Sequence, residues 1–139
     1  MTYLNEFTFP VRVYYEDTDA GGVVYHANYL CFMERARTEW LRALGFEHDT
    51  LATTLNILFV VGSIDIQYRK PARLNDALSV KTRIETLGRA SLAFKQEIWR
   101  ETTNNSHELL TTASVKVVCV AVGTFRATTI PTQIRELLQ

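Results

Sequence analysis

Cysteine is scarce in this chain. Its 139 residues hold two, Cys31 and Cys119, with no CxxC spacing and no nearby pair of histidines, which argues against a disulfide framework and against a zinc site. Free cysteines are among the most buried residues, so both are read as plain buried thiols in a reducing, cytoplasmic setting. Charge of one sign is lacking too: fifteen Lys plus Arg offset fifteen Asp plus Glu. No basic field therefore exists to hold a nucleic acid backbone, and an anionic ligand must be met by a local patch. Long apolar runs are missing. The longest strongly apolar stretch, Val117 to Val122, has six residues, where a membrane helix needs about 20. The segment Met1 to Pro10 carries Glu6 and alternating polar residues instead of a basic stretch followed by an apolar one, so no secretory signal is expected. Neither repeats nor Ser/Gly/Pro-rich linkers interrupt the pattern, and a single domain over 1–139 is expected.

What the chain does have is an ordinary globular balance, 47% apolar and 22% charged. Val11, Val13 and Tyr15 alternate with Arg12, Tyr14 and Glu16, which predicts a first strand over Phe7–Glu16. The period then changes. Tyr29, Phe32, Met33, Ala36, Trp40, Leu41 and Leu44 fall at three-and-four spacing, predicting one long amphipathic helix over His26–Leu44, stopped by Gly45. Glu34, Arg35, Thr38, Glu39 and Arg42 form its solvated face, with Arg35 and Glu39 one turn apart. A helical turn or two follows around His48–Leu55. Ile64, Ile66 and Tyr68 mark a strand ended by Pro71; Leu78 to Glu85, a strand through Leu92, Phe94 and Ile98, and Leu109 to Val122 complete four strands in a row. Asn104 and Asn105 supply the last turn, and Gln133–Leu138 a short closing helix. This order predicts an α+β layer, one helix on an antiparallel sheet. Val117 to Val122 reads as apolar on both faces, and one helix leaves much of the sheet uncovered, so an oligomer is expected.

Chemistry concentrates in Tyr14–Tyr29, YYEDTDAGGVVYHANY. Three carboxylates, Glu16, Asp17 and Asp19, stand within four positions, beside Gly21 and Gly22, and His26 stands where the helix begins. A carboxylate there is placed to act as nucleophile or general base, and the unpaired N–H groups and dipole of a helix start favour developing negative charge. Together they describe an acyl-transfer site. The alternative reading of the same residues is structural: an aspartate before a helix is commonly a cap or turn former, and Gly-Gly a tight turn.

The run Tyr15-Glu16-Asp17-Thr18-Asp19-Ala20-Gly21-Gly22-Val23-Val24-Tyr25-His26, followed by Asn28-Tyr29 and Glu34-Arg35-Ala36-Arg37, resembles the signature of the hotdog-fold acyl-CoA thioesterases. Within these it is similar to the group of 4-hydroxybenzoyl-CoA thioesterase and the Tol-Pal-associated YbgC-type enzymes. A second block, Tyr68-Arg69-Lys70-Pro71-Ala72-Arg73-Leu74-Asn75-Asp76, and the ending Val117-Val118-Cys119-Val120 extend the resemblance over nearly the whole chain.

The resemblance implies a hotdog fold, a long central helix wrapped by a curved antiparallel sheet of about five strands, whose active sites form between two subunits. By position it implies Asp19 as the catalytic carboxylate, Asp17 in support, and the peptide N–H of His26 polarising the thioester carbonyl. It implies an acyl pocket of Tyr25, Tyr29, Phe32 and partner-subunit residues around Val61, and contacts to coenzyme A from Arg89, Ser91 and Arg126. Arg73 is a weaker candidate, its alternative reading being a pair with Asp76 across a turn. The implied activity is hydrolysis of an acyl-CoA to free acid and coenzyme A without metal or organic cofactor, by a homodimer or a dimer of dimers. An acyl-CoA or acyl-carrier-protein binding module is the main alternative. A hotdog dehydratase fits less well, because His26 is the only histidine near the helix and stands at its start.

Overall fold

The computed structural model describes residues 6–104 and 106–139. Strand β1 (Glu6–Arg12) leads through a 3-10 turn (Tyr15–Asp17) and a loop into helix α1 (Asn28–Ala43). A short helix α2 (His48–Thr50) continues as a π turn (Leu51–Leu55). Then come β2 (Ile57–Tyr68), β3 (Ala77–Leu87), β4 (Ser91–Glu101), β5 (His107–Ala121) and a last helix α3 (Thr132–Leu138). The five strands form one sheet in the order β1-β3-β4-β5-β2, every neighbour antiparallel.

The helix forms where the three-and-four apolar spacing sits, and it buries that stripe. Tyr29, Phe32, Met33, Ala36 and Trp40 are all buried against the sheet. Trp40 lies between Phe7 of β1 and Phe94 of β4, with ring centroids 6.1 and 6.0 Å away. Every second residue of β4 (Leu92, Phe94, Gln96, Ile98) and of early β3 (Leu78, Val80, Thr82) faces this layer. Full burial of each large apolar side chain contributes about 1.5–3 kcal/mol, so this interface is the main source of stability. Gly45, at φ 101°, ends the run in a left-handed turn, its N–H bonded to the Arg42 carbonyl at 2.9 Å.

One polar cluster lies inside that layer. The Gln96 amide donates to the Met33 carbonyl (3.1 Å) and Thr82 Oγ1 (2.9 Å), and its Oε1 accepts from Arg37 Nη1 at 2.9 Å. Burial pushes the Arg37 guanidinium below its ordinary value, with the Glu34 charge opposing that shift.

Several sequence expectations change. The first strand stops at Arg12, not Glu16, because Tyr14–Thr18 is drawn into hydrogen-bonded turns: Asp17 N–H bonds to Tyr14 O and Thr18 N–H to Tyr15 O. The helix starts at Asn28, so His26 stands just before it. Strand β2 begins at Ile57, seven residues before the expected alternation, because Ile57 to Val61 pairs with the apolar end of β5. Cys31 is exposed: it lies off the apolar stripe, next to Phe32, whereas Cys119 is buried as expected. The end of β5 is less symmetric than read, since Val117, Cys119 and Val120 are buried but Val122, beyond the strand, is 43% exposed. Arg35 and Glu39 do not pair; Glu39 and Glu47 both engage Arg42 instead. Asn105 of the expected Asn-Asn turn and residues 1–5 of the N-terminal segment lie outside the described residues.

Candidate active site

The loop between β1 and α1 is built by a small antiparallel turn. Asp19 N–H bonds to the Val23 carbonyl at 2.9 Å, Gly22 N–H returns to Asp19 O at 3.0 Å, and Tyr25 N–H meets Asp17 O at 2.9 Å. Gly22 sits at φ 80°, a conformation that L side chains rarely adopt, so the turn requires glycine there. The sequence therefore folds this segment back on itself before releasing it into the helix.

The three carboxylates are separated by that turn. Glu16 is exposed. Asp17 is 7% exposed, and its two oxygens accept from Tyr14 N–H (2.8 Å) and from the Asn28 side-chain amide (2.9 Å). It ties the 3-10 turn to the first residue of α1. Asp19 is exposed at the turn; its Oδ1 accepts from Gly21 N–H at 2.8 Å, while its Oδ2 has no hydrogen-bond donor among the described residues. Asp17 is thus the structural carboxylate, and Asp19 combines a turn contact with an open oxygen.

Beside the turn stands the start of α1. Asn28 N–H bonds to the Tyr25 carbonyl at 2.8 Å and fixes the Tyr25–His26 peptide, whose N–H finds no acceptor among the described residues. The His26 ring packs on Tyr25 at 4.4 Å. Such a donor, at the positive end of a helix dipole, is suited to an oxyanion.

The second sequence block supports this loop. Val24 N–H bonds to Ala72 O at 2.8 Å, Val23 bridges Arg73, Ala72 N–H donates to the Tyr29 phenol at 3.0 Å, and the Tyr68 phenol donates to the His26 carbonyl at 2.8 Å. Burial pushes both phenols above their ordinary values, so both stay protonated. The connection itself is anchored by Arg100, which pairs with Asp76 (2.8 Å) and Glu108 (3.1 Å) and donates to Pro71 O (3.0 Å). Asp76 therefore pairs with Arg100 rather than with the Arg73 guanidinium; toward Arg73 it only accepts the backbone N–H at 2.8 Å.

The remaining candidates are dispersed. Tyr25 is exposed, but Tyr29 is 3% exposed and Phe32 fully buried, so within one chain these two are core. Val61 is 47% exposed on β2 and lines a cleft of about 120 Å³ with Trp40, Leu41, Phe59, Phe94 and Leu138. Glu34, Arg37, Thr38 and His48 also border this cleft. It lies along the second half of α1, away from Asp19. Arg89 and Ser91 sit at the β3–β4 turn, where Gly88 N–H bonds to Ser91 O at 2.7 Å and Arg89 Nε reaches Thr129 Oγ1 at 3.2 Å. Arg126 follows β5 on the segment that reaches Thr129, its carbonyl accepting from Ala121 N–H at 2.9 Å. The β3–β4 turn and the Asp19 loop stand at opposite ends of β3, whose 11 residues span roughly 35 Å.

Comparison with known proteins gives this geometry a family. The model described as thioesterase superfamily matches residues 21–106, which take in α1 and β2 to β4 and begin within the turn, after Asp17 and Asp19. The chain belongs to the thioesterase superfamily. This thioesterase is 47% identical over 131 residues to the acyl-CoA thioesterase YbgC of Haemophilus influenzae, covering 94% of this chain and 93% of the relative. It is 50% identical over 114 residues to the acyl-CoA thioester hydrolase YbgC of Escherichia coli O6:H1, covering 82% of this chain and 81% of that one. Among solved structures, the probable thioesterase from Bartonella henselae superposes with TM-score 0.82 at 36% identity, over 91% of this chain and 99% of that one. A mutant of 4-hydroxybenzoyl CoA thioesterase in complex with 4-hydroxybenzoyl CoA superposes with TM-score 0.91 over 97% of this chain and 99% of that one. At 20% identity, that likeness speaks for the fold alone. The hotdog architecture and the thioester-hydrolase assignment expected from the sequence are both borne out.

Asn28 and Tyr68 were visible in the sequence as motif letters without a role. Their partners, Asp17 and the His26 carbonyl, lie 11 and 42 residues away, and no local pattern connects them. Among the described residues, no cluster of His, Cys, Asp and Glu is arranged to hold a metal, and no helix is long and apolar enough to cross a membrane.

Proposed function

We propose that this thioesterase hydrolyses acyl-CoA thioesters to a free acid and coenzyme A, with Asp19 as the catalytic carboxylate and the His26 N–H as oxyanion donor. The observation that carries this reading is an exposed carboxylate with one oxygen open, in a glycine-built turn that leads into a helix start with a free peptide N–H. Asp19 takes a proton from water while the water oxygen attacks the thioester carbon. The carbonyl oxygen gains negative charge against the His26 N–H, and collapse expels coenzyme A as the thiolate, which takes up the proton. In the covalent variant Asp19 attacks the thioester carbon directly and expels coenzyme A, forming an acyl anhydride that water opens at the Asp19 carboxyl carbon. Loss of one oxyanion donor costs about 10²–10³ in rate.

The distance between the Asp19 loop and the Arg89, Ser91 and Arg126 region favours a homodimer in which one chain supplies the carboxylate and the other the contacts to the nucleotide end. The edge strand β2, with Val61, Ile64 and Tyr68 exposed by 47%, 37% and 47%, offers the surface for that pairing. Tyr25, with Val61 of the second chain, then borders the acyl group, over Tyr29 and Phe32 beneath.

The test is Asp19→Asn with propionyl-CoA, decanoyl-CoA and benzoyl-CoA. Turnover at or below about 1% of wild type supports the assignment, and unchanged hydrolysis overturns it. Single-turnover hydrolysis in H₂¹⁸O distinguishes the two chemistries, because only the covalent route leaves label in the Asp19 carboxylate. Tight binding with negligible turnover for every acyl group, in the wild-type protein, assigns a binding module instead.

A further inference from the structure

The bond from the Tyr68 phenol to the His26 carbonyl joins the end of β2 to the residue just before α1, across 42 positions of sequence. Stability does not require it. Within one chain Tyr68 is 47% exposed, and a carbonyl at such a surface is served as well by water. What water does not do is fix the direction of the peptide plane. The Tyr68 ring is held edge-on against Tyr29 at 5.4 Å, and the Tyr29 phenol is in turn held by Ala72 N–H.

The carbonyl that Tyr68 binds belongs to the His26–Ala27 peptide. No peptide bond in the described chain is cis, so the N–H of Ala27 points away from the carbonyl, on the opposite side of the plane. Like that of His26, the Ala27 N–H has no acceptor among the described residues. A donor placed on an amide oxygen also polarises the amide and strengthens its N–H as a donor.

We infer that Tyr68 is a positioning residue for the hydrolysis, orienting and polarising the His26–Ala27 peptide so that Ala27 N–H is a second donor to the developing oxyanion. The inference rests on the reading of the helix start as the oxyanion site. Two consecutive peptides then face the reacting carbonyl. The Tyr25–His26 plane is fixed by the Asn28 N–H on Tyr25 O, and the His26–Ala27 plane by Tyr68. The raised affinity of the phenol for its proton keeps it a donor over the whole working range of pH.

Three variants assayed with propionyl-CoA and benzoyl-CoA test this. Tyr68→Phe keeps the ring and removes the bond; kcat is expected to fall about tenfold, with KM within about twofold and the melting temperature within about 2 °C of wild type. Ala27→Pro replaces the N–H by a ring methylene, at φ −73°, where proline fits, and is expected to lower kcat about 100-fold. On the Ala27→Pro background Tyr68→Phe is expected to cost nothing further, because its effect passes through that donor. Equal losses on both backgrounds, an unchanged kcat in Tyr68→Phe, or a change confined to KM overturns the inference. Should Ala27→Pro fail to fold, 3-fluorotyrosine at position 68 replaces it: a stronger donor is expected to raise kcat about twofold, and an unchanged or lower kcat overturns the inference. An inactive Asp19→Asn alongside a fully active Tyr68→Phe removes Tyr68 alone, whereas an active Asp19→Asn removes the underlying reading.

Discussion

Removing the Asp17 carboxylate is expected to separate stability from chemistry at this site. Asp17 is 7% exposed and accepts two hydrogen bonds, from Tyr14 N–H at 2.8 Å and Asn28 Nδ2 at 2.9 Å. Hydrogen bonds to a charged group contribute about 1.5–3 kcal/mol each. Asp17→Ala removes both and leaves the two donors under a nearly closed surface; with water partly replacing the carboxylate, the net loss is about 3 kcal/mol. For a chain of this size that corresponds to a melting temperature lower by roughly 10 °C. Asp19→Ala loses only the bond from Gly21 N–H in an exposed turn and is expected to cost below about 1 kcal/mol. Thermal unfolding followed by circular dichroism, with acyl-CoA turnover at a temperature where both variants are folded, measures the two quantities separately. Asp17→Ala is expected to be destabilised with residual turnover, and Asp19→Ala to be stable and inactive. A drop of less than about 2 °C for Asp17→Ala refutes the assignment of Asp17 as the anchor of α1.

Gln96→Leu is expected to lose about 2–4 kcal/mol, read from the urea midpoint, because it leaves the Arg37 guanidinium and the fully buried Thr82 hydroxyl without Gln96 as their partner; a loss under about 1 kcal/mol contradicts that role. Glu101 is held below its ordinary value of 4.5 by the Ser79 hydroxyl, burial opposing and His107 adding to the shift. A depressed carboxylate stabilises the fold fully above its unfolded value and loses that contribution as pH falls through the folded value. The urea midpoint should therefore fall as pH drops below about 4.5, and Glu101→Gln should flatten that fall; an unchanged profile in the variant argues against it. Lys at both Val61 and Ile64 places charge on the exposed β2 edge and is expected to halve the mass found by analytical ultracentrifugation; a wild-type protein that sediments as a monomer rejects the pairing.

Much of the fold follows from local pattern. The period change after Val24 yields the helix, and the alternations from Ile64 onward yield the second half of β2 and, closely, β3 to β5. The errors fall where a local pattern competes with a distant partner. Tyr14 to Glu16 alternates like a strand but coils because the backbone bonds Asp17 N–H to Tyr14 O and Thr18 N–H to Tyr15 O close a turn. Ile57 to Val61 shows no alternation, yet is strand because β5 is there to pair with it. Cys31 was placed by residue type, which carries no information on which face of a helix it occupies.

For the candidate site, residue type and order sufficed to mark the turn. Two glycines, three carboxylates and a helix start fall together there, read either as an acyl-transfer site or as a cap and turn, and Gly22 meets the backbone demand directly. Which carboxylate is buried and which is open depends on Tyr14 and Asn28 closing on Asp17, a matter of three-dimensional packing. The sequence by itself determined most of the elements, the family resemblance and the segment proposed to carry the chemistry, because those rest on periodicity and on neighbours in the chain. Only the tertiary structure decided that Tyr68 reaches His26, that Arg100 anchors the supporting loop, and that Arg89 lies a strand's length from Asp19, because those depend on strand pairing and register between residues far apart in the chain.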